Sequence, residues 1–173
     1  MNTLFIMLLT AALFSLPGCA KKEAPSAVVG SKAPPFTLKN IQGGKVSLSG
    51  FAGKVVLVDF WATWCAPCKA STAELERLHQ QYKDRGVVVI GISMDAGGSA
   101  ARKVKDFAEQ HHLTYLMLLD NGETSKIYAV RTIPATFILD RSHVIVKIYP
   151  GYLPGLGEKI SGEIEKLIAQ KKG

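Results

Sequence analysis

Residues 55–70 read VVLVDFWATWCAPCKA, and the parsing of this stretch decides the fold. Val55 to Trp61 is a continuous apolar and aromatic run, the signature of a strand buried on both faces, interrupted only by the carboxylate of Asp59. Beyond it stand Cys65 and Cys68, with Pro67 between them where the first turn of a helix tolerates proline. The spacing predicts a helix from about Ala66 to Arg85, with Leu75 and Leu78 on one face and Gly86 placed for a C-terminal stop. The cysteine pair therefore falls where a buried strand turns into a helix.

Working outward, short β segments are predicted at Phe36 to Leu38 and Lys45 to Leu48, around the turn signal Gln42-Gly43-Gly44. Val87 to Ser93 repeats the buried-strand pattern. A helix near Ser99 to His112, a strand from Tyr115 to Leu119 and a short helix from Glu123 to Tyr128 follow. Ala135 to Asp140 and Val144 to Tyr149 read as a hairpin around Arg141-Ser142-His143, and a last helix runs from Leu156 to about Gln170. This order predicts an α/β fold with a central mixed sheet, parallel where helical crossovers link strands and antiparallel at the end. The 173 residues, 47% hydrophobic and 20% charged, suit one domain with a sizeable core.

Three chemistries compete for a Cys-x-x-Cys pair. As a staple it is weak, because closing a loop of about four residues stabilises by only ~2 kcal/mol, against about 4.7 kcal/mol for a hundred-residue loop. As half of a zinc site it lacks company: His79, His111, His112 and His143 fit no ribbon or finger spacing. His79 would lie three turns down the same helix, roughly 16 Å away. Redox chemistry suits the position. Cys65 sits at a helix N-terminus, where unpaired N–H groups and the macrodipole favour a thiolate, and Cys68 faces inward one turn along. Cys65 is then the nucleophile and Cys68 the resolving thiol. A fall in the Cys65 pKa from about 8.5 to about 7 would speed attack only about threefold at neutral pH, since intrinsic nucleophilicity falls as well. The larger consequence is a stabilised reduced state.

The N-terminus adds a location. Leu4 to Leu16 is too short for a span of roughly 20 residues but suits a signal-peptide core. It ends in Leu16-Pro17-Gly18-Cys19, which resembles the lipobox of bacterial lipoproteins. That resemblance implies a signal peptide over 1–18 and lipid on Cys19; the small, charged and Pro residues that follow read as a flexible tether over 19–29, ahead of a folded domain over 30–173. A plain cleaved signal peptide and a signal anchor are the alternatives. Lipid on Cys19 also leaves an even pair among three cysteines. The net charge of +7 is spread among acidic residues without a stacking or phosphate motif, which argues for anionic lipid or acidic partners rather than nucleic acid.

The segment Val58-Asp59-Phe60-Trp61-Ala62-Thr63-Trp64-Cys65-Ala66-Pro67-Cys68-Lys69 resembles the active-site segment of thioredoxins. The leader, the early β segments and the long loop and helix before Tyr115 are more similar to the exported, membrane-tethered TlpA/ResA branch. The resemblance covers about residues 30 to 170 and implies a thioredoxin fold with an N-terminal β-hairpin extension and an extra β-α insertion. It implies that Thr132-Ile133-Pro134 is a cis-proline loop, so that Trp64, Ala66, Pro67, Thr132, Ile133 and Pro134 meet the substrate. Asp59 is implied to be a buried carboxylate that serves Cys68 as a base; an Asp at a strand end reaching solvent or capping a turn is the alternative. No metal and no cofactor beyond the Cys65–Cys68 disulfide is expected. Implied partners are protein disulfides, a membrane thiol–disulfide transporter as electron donor and the membrane through the lipid anchor, for a monomer on the periplasmic or cell-surface side. Clients of such relatives include apocytochrome c. Some members carry an acid between or just after the cysteines; here the next acid is Glu74, so no dedicated client carries over.

Two rivals remain. Ile90-Gly91-Ile92-Ser93-Met94-Asp95 also resembles peroxiredoxins, yet their P-x-x-x-[TS]-x-x-C pattern would need Pro and Thr or Ser where Val58 and Ala62 stand. A non-catalytic metal-delivery or binding module is the other. The expectation is a tethered extracytoplasmic thiol–disulfide oxidoreductase working as a reductase of protein disulfides.

Overall fold

The computed structural model describes residues 27–170; the proposed signal peptide, Cys19 and most of the proposed tether lie outside them. Seven strands form one mixed sheet in the order β2-β1-β5-β4-β3-β6-β7. They are β1 (Thr37–Asn40), β2 (Lys45–Ser47), β3 (Val55–Trp61), β4 (Val87–Ser93), β5 (Leu116–Leu119), β6 (Ala135–Leu139) and β7 (Ile145–Pro150). The helices are α1 (Ala66–Tyr82), α2 (Ala100–Gln110), α3 (Thr124–Ile127) and α4 (Leu156–Ala169). This is the thioredoxin-like fold expected from the sequence, with β1 and β2 as the N-terminal hairpin and α2 with β5 as the insertion.

The centre of the sheet explains why β3 reads as it does. It is flanked by β4 in parallel and by β6 antiparallel, and all seven of its residues are buried. Crossovers through α1 and α2 carry the chain from β3 to β4 to β5 along one face. The chain then returns past α3 to the other side of β3. Alternate residues of β3 divide the core. Val55, Leu57 and Trp61 pack with α1, α2 and α4, including Leu75, Leu78, Phe107 and Ile160. Val56, Val58 and Phe60 pack on the other side with Phe36, Tyr128 and Phe137. By the same alternation Asp59 lies on the α1 face.

Most element boundaries shift by a residue or two from the sequence expectation, and three of the differences have a clear physical reason. α1 stops at Tyr82, and Lys83–Arg85 tightens into a 3-10 turn before Gly86, whose φ of 81° only glycine adopts freely. β1 starts at Thr37, since its ladder partners are β2 and β5, while Phe36 is buried beside them. The tether expected to reach residue 29 ends earlier: Ala27 is buried and Gly30 N donates to Ile145 O at 2.8 Å.

Candidate active site

The turn from β3 into α1 is short and tightly held. Ala62 is buried, Cys65 N donates to Ala62 O at 3.2 Å, and Cys68 N donates to Cys65 O at 3.1 Å. Cys65 is the N-cap of α1 with extended backbone (φ −88°, ψ 106°), and Pro67 sits in the first turn, where a missing N–H costs nothing. Cys65 and Cys68 form a disulfide with Cα atoms 5.3 Å apart. Cys68 is fully buried and Cys65 nearly so, while Ala66 and Pro67 are exposed and Trp64 is 69% exposed. A large aromatic left in water next to a reactive sulfur suits recognition better than packing.

Facing the disulfide is the loop before β6. Cys65 Sγ lies 3.8 Å from Ile133 O, and the Ile133–Pro134 peptide is cis. Gly151 N donates to Pro134 O at 2.7 Å and ties the loop to the end of β7. Pro134 is buried, Ile133 half-buried and Thr132 exposed. The two segments named from the sequence, 64–68 and 132–134, thus meet at Cys65.

Asp59 is fully buried, which removes the alternative of a strand-end carboxylate in solvent. Thr136, directly opposite on β6, donates Oγ1–H to Asp59 Oδ1 at 2.7 Å, and Oδ2 has no hydrogen-bond partner among the described residues. Burial pushes the carboxyl up to about 7, against the Thr136 bond, which favours the charged form. A carboxyl poised there takes a proton readily near neutral pH. Asp59 and Cys68 share the layer between sheet and α1, to which Leu57, Trp61 and Cys68 belong.

A second buried carboxylate was not singled out from the sequence. Asp95, just past β4, accepts Thr63 N at 2.8 Å, Thr63 Oγ1 at 2.6 Å and Ser93 Oγ at 2.8 Å. It clamps the turn that carries Trp64 and Cys65. A signal for it existed: Trp61 pairs with Ser93 in parallel strands, so Thr63 and Asp95 are both two residues past that pair and must be neighbours. Glu74, the first acid after the cysteines, is occupied internally; it accepts Gly157 N and Tyr152 Oη and joins α1 to the start of α4.

Comparisons with known proteins agree with this geometry. The AhpC/TSA family model matches residues 29–148. The thioredoxin-like protein YneN of Bacillus subtilis is 34% identical over 148 residues, covering 86% of this chain and 86% of YneN. The thiol-disulfide oxidoreductase ResA of Bacillus thuringiensis is 33% identical over 124 residues, covering 71% of this chain and 70% of that protein. A Chlorobium tepidum structure assigned as the thiol:disulfide interchange protein DsbE superposes with a TM-score of 0.76 at 30% identity, covering 83% of this chain and 99% of that one.

Proposed function

We propose a function from one premise: the chain belongs to the AhpC/TSA family of thioredoxin-like proteins, and it is a thiol–disulfide oxidoreductase. Within that class it works as a reductase of protein disulfides on the periplasmic or cell-surface side. It is held there by lipid on Cys19 and recharged by a membrane thiol–disulfide transporter. Apocytochrome c is one client class that the TlpA/ResA resemblance implies. The observation that carries the reading is the asymmetry of the pair: Cys65 stands at a helix N-terminus beside the exposed Trp64 and the Ile133 carbonyl, while Cys68 is sealed in the core.

The proposed cycle follows from that asymmetry. The Cys65 thiolate attacks a client disulfide and releases one client thiolate, leaving a mixed disulfide. Trp64, Ala66 and Pro67 on one side and Thr132, Ile133 and Pro134 on the other hold the client chain. Cys68 loses its proton to Asp59 and attacks Cys65 Sγ. The second client thiolate leaves, and two electrons have passed from the dithiol to the client. Peroxide chemistry is disfavoured, because Val58 and Ala62 stand where peroxide-binding side chains would be needed, and both are buried and apolar.

Trapping tests the reading. Cys68→Ser should accumulate mixed disulfides at Cys65 with extracytoplasmic proteins that carry disulfides. An absence of such adducts, or a reduction potential above about −150 mV, near the strong oxidants, would overturn the reductase assignment.

A further inference from the structure

Beside the Thr132-Ile133-Pro134 loop lies an apolar cavity that the proposed cycle does not use. Its volume is about 220 Å³, and Tyr128, Ala135, Phe137, Ile148 and Pro150 line it, with Ala27 on one side. Thr132 and Arg131 line it too, and both are exposed. Ala129, whose φ of 52° few residues other than glycine adopt, turns the chain between α3 and this loop. Arg131 makes no ion pair among the described residues. A cavity on the order of 150 Å³ holds a benzene molecule, so this one has room for one aromatic or branched aliphatic side chain.

The cavity adjoins a free edge of the sheet. β7 is the last strand in the order and has β6 on one side only. Gly151 N donates to Pro134 O, so by antiparallel alternation Tyr149 bonds Thr136, while the N–H and C=O of Ile148 point away from β6. Pro150 faces the same edge, where its missing N–H costs no ladder bond. The segment before β1 covers this edge only as far as Ile145, through Gly30 N to Ile145 O and Ile145 N to Ser31 O. An extended polypeptide can therefore add its own N–H and C=O groups at Ile148 and place one side chain in the cavity.

We propose that the cavity and Arg131 form a specificity subsite for the client chain, in which an apolar client side chain enters the cavity and an acidic one beside it pairs with Arg131. The subsite rests on the reading of residues 132–134 as the loop that holds the client. Ile133 O lies 3.8 Å from Cys65 Sγ, and Arg131 is two residues before Ile133. At roughly 3.3–3.6 Å per residue, the client side chains read here stand about two to four positions from its reacting cysteine. The client class is a polypeptide disulfide with an apolar residue and an acid at that distance. The buried side chain supplies most of the selectivity, since an exposed ion pair contributes little.

Short peptides test the subsite, each with one cysteine joined in a mixed disulfide to a coloured aromatic thiol. The aromatic thiolate is the better leaving group, so Cys65 attacks the peptide sulfur and colour reports that attack. The peptides carry Leu or Ala beside Glu or Lys, two and three positions from the cysteine, on its N-terminal or its C-terminal side. With the reduced full chain, Leu peptides should react about tenfold faster than Ala peptides, and Glu peptides about threefold faster than Lys peptides. Both preferences should appear on one side of the cysteine only. Arg131→Glu, a change at an exposed position, should reverse the preference for Glu over Lys. Ala27→Leu, which fills the cavity from its wall, should remove the preference for Leu over Ala. Equal rates for all peptides would overturn the subsite. So would a Glu preference of the same size on both sides that survives Arg131→Glu, because it would report only the net charge of +7. A Leu preference unmoved by Ala27→Leu would overturn it as well, since the cavity would then be filled by another part of this chain or by a second copy. Each of these results leaves colour release and Cys68→Ser trapping intact, so failure of the subsite is distinguishable from failure of the oxidoreductase cycle.

Discussion

Two buried carboxylates stand on neighbouring parallel strands, Asp59 within β3 and Asp95 just past β4, and their surroundings are opposite. Asp95 has both oxygens engaged by three donors, Thr63 N, Thr63 Oγ1 and Ser93 Oγ. Asp59 has one bond, from Thr136, and its second oxygen has no partner among the described residues. Burial alone therefore does not assign a role to a carboxylate. Saturation with donors makes Asp95 a clamp for the active-site turn, whereas under-saturation makes Asp59 a group that exchanges protons near neutral pH.

The contrast is sharpest in how stability depends on pH. The Asp59 carboxyl moves from 3.8 in its ordinary setting to about 7 in the folded chain. Between those values the folded state holds a proton that the unfolded state has lost. The stabilising contribution is therefore full below about pH 4 and is lost as pH rises through about 7. A shift of about three units corresponds to ~4 kcal/mol. Urea unfolding of oxidised wild type and Asp59→Asn should show the variant gaining relative stability over this window, by several kcal/mol. A difference that stays constant with pH would break the contrast.

Asp95→Ala should be the next largest. It leaves three donors without their acceptor and is expected to cost about 2–3 kcal/mol, read as a lower denaturant midpoint at unchanged slope. Attack by Cys65 should slow as well, because Thr63 no longer holds the turn. Full stability in this variant would mean that the clamp is idle. Thr136→Val should cost about 1 kcal/mol and remove the one bond that favours ionised Asp59. The pH profile of resolution should then move to higher pH; a downward move would contradict the assignment of that bond. The smallest effect on stability is expected for Trp64→Ala, within about 0.5 kcal/mol, because the side chain is mostly in water already. Its loss should instead raise KM for protein clients while leaving reduction of a small disulfide unchanged.

Most of the fold was legible because its signals are local. The run Val55 to Trp61 and the run Val87 to Ser93 match β3 and β4 residue for residue, since continuous apolar runs of that length have few other uses. Element ends were less legible: α1 tightens at Lys83, where tertiary packing ends before helix propensity does. At the site, Cys65, Cys68, Pro134 and Asp59 were readable from one motif and one loop. Asp95 was hidden because Thr63, the residue it holds, is 32 residues away and only the parallel register brings the two together.

The central claim is that Asp59 is the base for Cys68, and the pH profile of mixed-disulfide resolution tests it most directly. Stopped-flow rates from about pH 5 to about pH 9 should rise in the wild type through an inflection near the folded-state value of about 7. In Asp59→Asn that inflection should vanish and resolution should slow near neutral pH. The same inflection and the same neutral rate in both proteins would contradict the claim.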